Sequence, residues 1–418
     1  MKRILFITTN YYPTPDANGI CVNEILNVLK EEGLDVHLIC YQSSEAPSSF
    51  DRNGTSVYGV KMPFYIRLRD YSRKTKNTTL SVFFNNVALF IQRLRILLFF
   101  PFYPMTSILS VYKHYKLAAD LHKKYKFDIV ISSYKSIEGL IASNILKKRN
   151  KNLKLVMYVL DSLSNSGRST FFSENRTGKM GWKWEKRFYK DADLILNLLA
   201  HKGHHMQKRY DPFRKKMDYI DIPLLKENKS FQDDTKEKKN INIIYTGTLN
   251  STIRNPRYAC EILKEVNVES LQVDFFSQGD TEKLLMEFQK NSNGKIRRNG
   301  LISHEESLSR INEASFLLSI GNSMTDMIPS KIFEYMSTGN PIIHIYDNEF
   351  DSALPYLKRY PLSILIKKDK DNNNFITNVN LVTQFIKEKT GEKIQFSEIE
   401  ALYERNRPKY TVEKILNI

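Results

Sequence analysis

The residues best suited to bind a ligand lie in the segment GNSMTDMIPSKIFEYMSTGNPII, which follows a short apolar run. Pro329 and Ser330 favour the start of a helix, whose free N–H groups attract anions. Lys331 stands beside this start, Glu334 lies one turn further on, and Asp326 precedes both in the loop. A cation at a helix start suits a diphosphate, and ionised carboxylates accept hydrogen bonds from sugar or ribose hydroxyls. The alternative is an ordinary surface helix with an exposed lysine and an exposed glutamate.

Other patterns that could carry chemistry are weaker. The sequence lacks a dinucleotide-binding glycine motif, a P-loop, a zinc-protease helix and a nucleophilic-serine elbow. Asp191 and Asp193 have the Asp-x-Asp form that holds a divalent metal in some transferases, and a solvated helix–strand junction is the alternative. Cys21, Cys40 and Cys260 are too far apart for a zinc site or a disulfide framework. We therefore predict neither a metal site nor a cofactor.

Strand and helix signals alternate along both halves of the chain. Apolar runs such as ILFI and FLLSI predict buried strands, and apolar residues at every third or fourth position predict helices between them. Strands separated by helices pair in parallel through right-handed crossovers. We predict an α/β protein with two Rossmann-like, doubly wound domains. Such sheets bind ligands at the carboxyl ends of their strands, so we expect the site in a cleft between the domains.

A polar stretch, KENKSFQDDTKEKKN, has almost no apolar content and marks the predicted linker. The N-terminal domain is predicted at residues 1–222, with a basic and aromatic insert at about 61–126. The linker follows at 223–240, and the C-terminal domain at 241–390. The helices predicted at 391–418 are expected to return to the N-terminal domain.

The segment around Glu334 resembles the C-terminal signature of the large retaining family 4 of GT-B glycosyltransferases. Members share an E-x7-E element, and a subgroup has the form P-S-K-x-x-E-Y-M-x-x-G-x-P, which this chain matches. The resemblance implies that Glu334 binds the ribose of the donor nucleotide. Asp326 stands where the first glutamate is usual, and the resemblance implies that it approaches the hydroxyls of the donor sugar.

Two further segments resemble the same family. The stretch TTNYYPTPDANGICVNEILNVL is similar to its first strand, loop and helix, in which Gly19 would let the backbone approach a donor phosphate. The stretch YTGTL, followed by RNP, is similar to the start of the C-terminal domain, where basic residues hold the diphosphate. Gly247 is the glycine of that motif, Arg254 matches its later basic residue, and Thr248 replaces the earlier one. We expect Lys331 to supply the missing charge.

The remaining site residues also follow from the resemblance. The loop that holds Ile302 resembles one that contacts the nucleobase through main-chain groups. Asp161 ends a buried strand, where the family has His or Asp near the acceptor, and a helix cap is the alternative. The resemblance implies a UDP- or GDP-linked sugar as donor, a lipid-linked or glycan hydroxyl as acceptor, and retention of anomeric configuration. The setting it implies is bacterial surface polysaccharide synthesis.

The formal charge of +17 is concentrated in one part of the chain. Residues 61–130 hold 13 Lys or Arg and 3 Asp or Glu, and the basic residues alternate with aromatic and aliphatic ones. This combination fits an anionic membrane surface better than a nucleic acid, and a helix pair packed on the sheet is the alternative. Arg93, Arg95, Pro101 and Pro104 are expected to interrupt any membrane span, and no signal peptide is visible. We predict a cytoplasmic protein bound peripherally to the inner face of the plasma membrane, with no nucleic-acid partner.

Three rival functions remain at the level of sequence. A nucleotide-sugar epimerase of the same fold would bind the donor without an acceptor. A nucleic-acid-binding protein would account for the charge but not for Asp326 and Glu334. A non-catalytic glycan-binding relative would account for aspartate in place of glutamate and for threonine in place of a basic residue.

Overall fold

The computed structural model describes residues 2–9, 11–12, 15–42, 46–75, 77–134, 137–165, 172–227, 240–323, 329–369 and 373–418. The chain packs as two units. Unit 1 is Met1–Pro223 with Pro408–Ile418, and unit 2 is Leu224–Arg407. Most of the predicted linker, residues 228–239, lies outside the described residues. The predicted α/β architecture with two doubly wound sheets is confirmed.

Unit 1 is built on an eight-stranded sheet of order β3-β4-β2-β1-β5-β6-β7-β8. Every pair is parallel except β3 with β4, which form an antiparallel edge. The strands are β1 Arg3–Ile7, β2 Asp35–Gln42, β3 Ser49–Arg52, β4 Thr55–Lys61, β5 Ile129–Ser133, β6 Lys154–Val159, β7 Leu194–Leu198 and β8 Met217–Ile220. The helices are α1 Ala17–Glu31, α2 Phe64–Lys74, α3 Thr78–Leu98, α4 Ile108–Tyr125, α5 Ile137–Arg149, α6 Glu174–Asp191, α7 Lys202–His205 and α15 Pro408–Leu416.

Unit 2 has a six-stranded, fully parallel sheet of order β11-β10-β9-β12-β13-β14. Numbered from β9, this is the 3-2-1-4-5-6 strand order of the dinucleotide-binding fold. The chain adds strands to one side of β9 first and then to the other side, so the strand order reverses between β9 and β12. The strands are β9 Ile241–Leu249, β10 Leu271–Gly279, β11 Ile296–Arg298, β12 Phe316–Ile320, β13 Ile342–Tyr346 and β14 Ser363–Lys367. The helices are α8 Arg257–Glu265, α9 Glu282–Asn291, α10 His304–Glu313, α11 Lys331–Ser337, α12 Leu354–Leu357, α13 Phe375–Lys389 and α14 Phe396–Leu402.

The central strands are buried along their whole length because helices cover both faces of a parallel sheet. In β12 all five residues are buried, and in β1 only the first is exposed. Such strands appear in the sequence as continuous apolar runs, which is why they were predictable. The strand β4, next to the edge of its sheet, and the edge strand β14 are only partly buried. Neither was predicted, because polar and apolar residues mix along them.

The insert of unit 1 forms three helices, of which α3 is the least buried. Of its 21 residues, all of them described, only Ala88 is buried. By length and composition alone, α3 is apolar enough to cross a membrane. The helix ends at Leu98, just before Pro101, so the apolar stretch is interrupted near the prolines as expected, but the part before them is already long enough to cross a membrane. Arg95 lies in its last turn and donates to the Thr106 carbonyl at 2.6 Å.

Candidate functional site

The clearest polar arrangement in unit 2 lies where the strand order reverses. Arg254 follows β9, and its Nε donates to the Asn322 Oδ1 at 2.9 Å. Asn322 follows β12, so this hydrogen bond joins the carboxyl ends of the two strands on either side of the reversal. Ligands of doubly wound sheets bind at this position. The Arg254 Nη1 also lies 3.5 Å from the Thr248 carbonyl oxygen.

A buried carboxylate, that of Asp351, fixes Asn322 through a hydrogen bond to its backbone N–H. Asp351 is 2% exposed and accepts hydrogen bonds from the backbone N–H groups of Asn322 at 2.8 Å and Ala353 at 2.7 Å. Burial raises the pKa of Asp351, and those N–H groups and the Arg254 charge oppose the increase only in part. A Cβ at Gly321 would lie 2.5 Å from the Asp351 Oδ2, so the carboxylate needs glycine there. Sequence reasoning missed Asp351, which stands in no recognisable motif.

The predicted helix of the signature segment begins later than expected. It was predicted at Pro329, but α11 starts at Lys331 and has 7 residues. The N–H groups of Ile332 and Phe333 donate to the carbonyls of Pro329 and Ser330 at 3.1 and 3.2 Å. These two donors of the first turn are therefore already satisfied within the chain, which weakens the expected anion site.

Lys331 and Glu334 form an ion pair at 2.6 Å. The Glu334 side chain is 7% exposed and that of Lys331 is 26% exposed. Lys331 Nζ also donates to the Ser307 Oγ of α10 at 3.2 Å. The positive charge of Lys331 is therefore already partly neutralised by Glu334, a pairing that the sequence reading did not include.

Tyr335 fastens α11 to β9. Its hydroxyl accepts from the Thr246 N–H at 2.8 Å, and burial raises the Tyr335 pKa, so the group stays a neutral phenol. The next residue, Gly247, has φ +141°, a conformation that favours glycine. A Cβ there would be in ordinary van der Waals contact with the Tyr245 hydroxyl, at 3.5 Å, so the backbone conformation rather than lack of space favours glycine. Thr248 is exposed, and its Oγ1 lies 3.4 Å from the Gln278 amide.

The structure says less about Ile302 and Asp326, the two other residues of unit 2 that are predicted to contact the donor. Ile302 is half-buried in the loop between β11 and α10, next to Leu301, which is largely exposed. Gly300 turns this loop with φ +74°. Asp326 lies outside the described residues, so its role stays a prediction.

In unit 1, Gly19 and Asp161 follow two strands of the same sheet, β1 and β6. Gly19 is buried in the first turn of α1, and its N–H donates to the Asp16 carboxylate at 2.9 Å, which caps the helix. Asp161 is exposed two residues beyond the end of β6. Burial raises the pKa of Tyr134, and the Asp161 charge adds to the increase. Asp161 and Tyr134 therefore lie close enough for their charges to interact, at the carboxyl edge of the sheet.

A buried polar cluster behind Asp161 was not predicted. Glu185 is 1% exposed and accepts from the hydroxyls of Ser162 at 2.8 Å and Tyr210 at 2.9 Å. Ser164 Oγ contacts the His204 Nε2 at 2.9 Å, and burial lowers the His204 pKa, which favours the neutral imidazole. A nucleophilic triad requires a carboxylate on the other histidine nitrogen, whereas here Glu185 binds hydroxyls directly. The cluster holds the loop that carries Asp161.

Asp191 and Asp193 are held by lysines. Asp191 pairs with Lys148 at 3.1 Å, and Asp193 pairs with Lys147 at 2.8 Å and Lys154 at 3.6 Å. Burial raises the Asp193 pKa, but the lysines and a backbone N–H outweigh this effect and leave it lowered. Within the described ranges, no group of three or more His, Cys, Asp or Glu could hold a metal ion.

No known family profile matches this chain, and no curated protein is detectably similar in sequence. Solved structures do match. The sucrose-phosphate synthase of Thermosynechococcus elongatus is 10% identical with a TM-score of 0.60, and 100% of this chain aligns with 98% of it. The chain has the GT-B fold. The lipopolysaccharide outer core galactosyltransferase WaaB is 11% identical with a TM-score of 0.51, and 99% of this chain aligns with 98% of it.

A third solved structure with a similar fold is named as an epimerase rather than as a synthase or transferase. The UDP-GlcNAc 2-epimerase of Methanocaldococcus jannaschii is 13% identical with a TM-score of 0.52, and 92% of this chain aligns with 93% of it. At these identities the matches show the GT-B fold and nothing finer.

Proposed function

We propose that this protein is a glycosyltransferase that moves a hexosyl unit from a UDP- or GDP-linked sugar to a lipid-linked or glycan hydroxyl. The observation that carries the proposal is the arrangement at the strand-order reversal of unit 2. Arg254 is fixed there by Asn322 and, behind it, by the buried Asp351. A fixed cation at this position suits a nucleotide diphosphate. The proposed setting is surface polysaccharide synthesis.

Each site residue has a proposed part in the transfer. Arg254 neutralises the leaving diphosphate, and Glu334 accepts hydrogen bonds from the ribose. The backbone at Gly247 and Thr248 approaches the phosphates, and Asp326 contacts the donor sugar. In unit 1, Gly19 approaches the donor and Asp161 the acceptor. Catalysis then rests on positioning and on charge stabilisation rather than on a covalent intermediate.

Donor binding is the first test. Nucleoside diphosphates and nucleotide sugars are screened by thermal shift, and a ligand at 100 times its dissociation constant should add about 2.7 kcal/mol of stability. We expect uridine or guanosine diphosphates to stabilise the protein and the Arg254→Ala variant to lose the shift. No shift with any nucleotide would contradict the proposal.

The second candidate function is nucleotide-sugar epimerisation, which the fold match to an epimerase keeps open. An epimerase acts on the donor alone. Incubation with donor and no acceptor separates the two functions, because a transferase leaves the donor sugar unepimerised under these conditions.

We expect transfer to retain the donor's anomeric configuration and to need no divalent metal. A metal at a diphosphate neutralises charge and orients the leaving group, and Arg254 with Lys331 is proposed to do both. Activity should therefore survive excess chelator. Loss of activity that manganese restores would refute metal independence.

Retention is tested on the product, whose anomeric coupling measured by NMR should match that of the donor. An inverted product would instead require a general base, and Asp161 would be the first residue to replace.

We also propose that unit 1 binds the inner face of the plasma membrane through α3. The exposed apolar side chains of α3 are Leu80, Val82, Phe83, Phe90, Leu94, Leu97 and Leu98. Two more, Ile108 and Leu109, lie at the start of α4. Exposed arginines such as Arg67 and Arg73 on α2 and Arg93 on α3 accompany them. This combination of apolar and basic side chains is typical of helices that lie in a membrane interface.

Vesicle sedimentation tests this attachment. At about 1 kcal/mol for each basic residue near an anionic surface, four engaged residues should contribute roughly 4 kcal/mol. The double variant Phe83→Ser/Phe90→Ser should lose binding to anionic vesicles. The matched control is Phe350→Ser, because Phe350 is 77% exposed but lies in unit 2. Equal binding of both variants would show that α3 is not the contact.

A further inference from the structure

Unit 1 contains a cleft that no step of the proposed transfer uses. Its volume is about 710 Å³. One wall is the turn that follows α3, and the other is one face of α6. Both walls consist entirely of described residues of unit 1.

The α6 wall is a row of cations. Arg176, Lys179, Lys183 and Arg187 line the cleft and are exposed. Their spacing of three, four and four residues places them on one face of the helix. None of the four forms an ion pair with any described residue, and no acidic residue lines the cleft. Like charges one helical turn apart repel each other, so an anion in the cleft would relieve this repulsion.

The opposite wall is aromatic. Phe100, Phe102 and Tyr103 face α6, which adds Trp184 to the apolar surface. The Trp184 indole N–H donates to the Phe102 carbonyl at 3.3 Å, and the Arg176 guanidinium lies 4.5 Å from the centre of the Phe100 ring. These contacts fix the turn against the helix. The wall continues along the chain into the end of α3, where Leu98 is 69% exposed.

The cleft is tied to the acceptor-side edge of the sheet through the packing of α6. A Cβ at Gly181 would lie 2.0 Å from the Leu163 carbonyl oxygen, and one at Gly178 would lie 3.0 Å from that of Ser164. The helix is therefore pressed onto the loop that follows Asp161. The cation row begins on this same part of α6, at Arg176 and Lys179.

We propose that this cleft binds the diphosphate group of a lipid-linked acceptor, with the lipid chain against the aromatic wall; the inference rests on the proposed glycosyltransferase function. Four unpaired cations suit a diphosphate better than a phosphodiester, because a phosphodiester carries a single negative charge. The aromatic wall and the exposed end of α3 suit the chain of an amphiphile. A free nucleotide would leave that apolar surface uncovered.

The test measures binding to three kinds of phosphatidylcholine vesicle: pure, with phosphatidylglycerol, or with a polyprenyl diphosphate at the same total headgroup charge. The variant is Lys179→Gln/Lys183→Gln. The matched control is Lys186→Gln/Lys190→Gln, which removes the same charge from exposed positions of α6 outside the cleft. The original protein should prefer the diphosphate vesicles. The cleft variant should lose roughly 30-fold in affinity for them, since each basic residue is worth about 1 kcal/mol. The control should keep the preference.

Two outcomes would overturn the inference. Equal binding to diphosphate and phosphatidylglycerol vesicles would show a general anionic surface, and equal losses in both variants would show that position on α6 is irrelevant. Nucleotide binding is measured separately on the same variants by thermal shift. If the protein binds the nucleotide donor but shows no preference for diphosphate vesicles, only this inference is refuted. If the unmodified protein does not bind any nucleotide donor, the proposed function is refuted.

Discussion

Replacing Arg254 by alanine is expected to lower turnover by roughly 10²-fold, the usual cost of removing one preorganised charge-stabilising donor. Asn322 and Asp351 hold the guanidinium before any ligand arrives. The substitution therefore removes stabilisation of the leaving diphosphate as well as binding. Steady-state rates with the donor identified by thermal shift provide the measurement, and kcat should fall together with kcat/KM.

Arg257→Ala is the matched control, because Arg257 is exposed at the start of α8 and close in sequence. It should retain activity. Arg254→Lys should recover only part of the loss, since lysine cannot reproduce a guanidinium fixed through Nε. Full activity of Arg254→Ala would mean that another cation holds the diphosphate.

Replacing Glu334 by glutamine is expected to weaken donor binding by roughly 10- to 150-fold, which corresponds to about 1.5–3 kcal/mol for one hydrogen bond to a charged group. Glutamine keeps the size of the side chain but lacks the charge that ribose hydroxyls favour. Calorimetric titration with the nucleoside diphosphate measures the effect. Glu305→Gln, at an exposed position of α10, is the control.

The ion pair of Glu334 with Lys331 complicates this test, because losing one partner leaves the other charge partly buried. Urea unfolding of Glu334→Gln, Lys331→Met and the double variant separates the two effects. If Glu334 binds ribose, the double variant should regain stability but not affinity. Recovery of donor affinity in the double variant would show that Glu334 only neutralises Lys331.

The sequence predicted the fold because the decisive strands are fully buried. Runs such as those of β1 and β12 need no tertiary information, since a strand covered on both faces must be apolar throughout. The edge pair β3 and β4 was missed because its residues are half exposed. The predicted start of α11 was two residues early: Pro329 and Ser330 precede the helix and accept hydrogen bonds from its first turn.

The candidate site was predictable only where its residues lie close in sequence. Lys331 and Glu334 are one helical turn apart, so the spacing itself brings them together. Asp351 and Glu185 reach their partners through folding: Asp351 binds Asn322 from beyond β13, and Glu185 binds Ser162 from within α6. No local pattern distinguishes these two carboxylates from surface ones.

The return of α15 to unit 1 has a consequence for how the protein is made. This last helix packs against α1, and Lys2 donates to the Leu416 carbonyl at 3.2 Å. Unit 2 is one continuous segment, whereas unit 1 is assembled from two segments that lie on either side of it in the sequence. Unit 1 therefore obtains α15 only after all of unit 2 has been synthesised, and α1 keeps an uncovered surface until then. A fragment that stops at residue 223 should therefore aggregate unless residues 408–418 are joined to it.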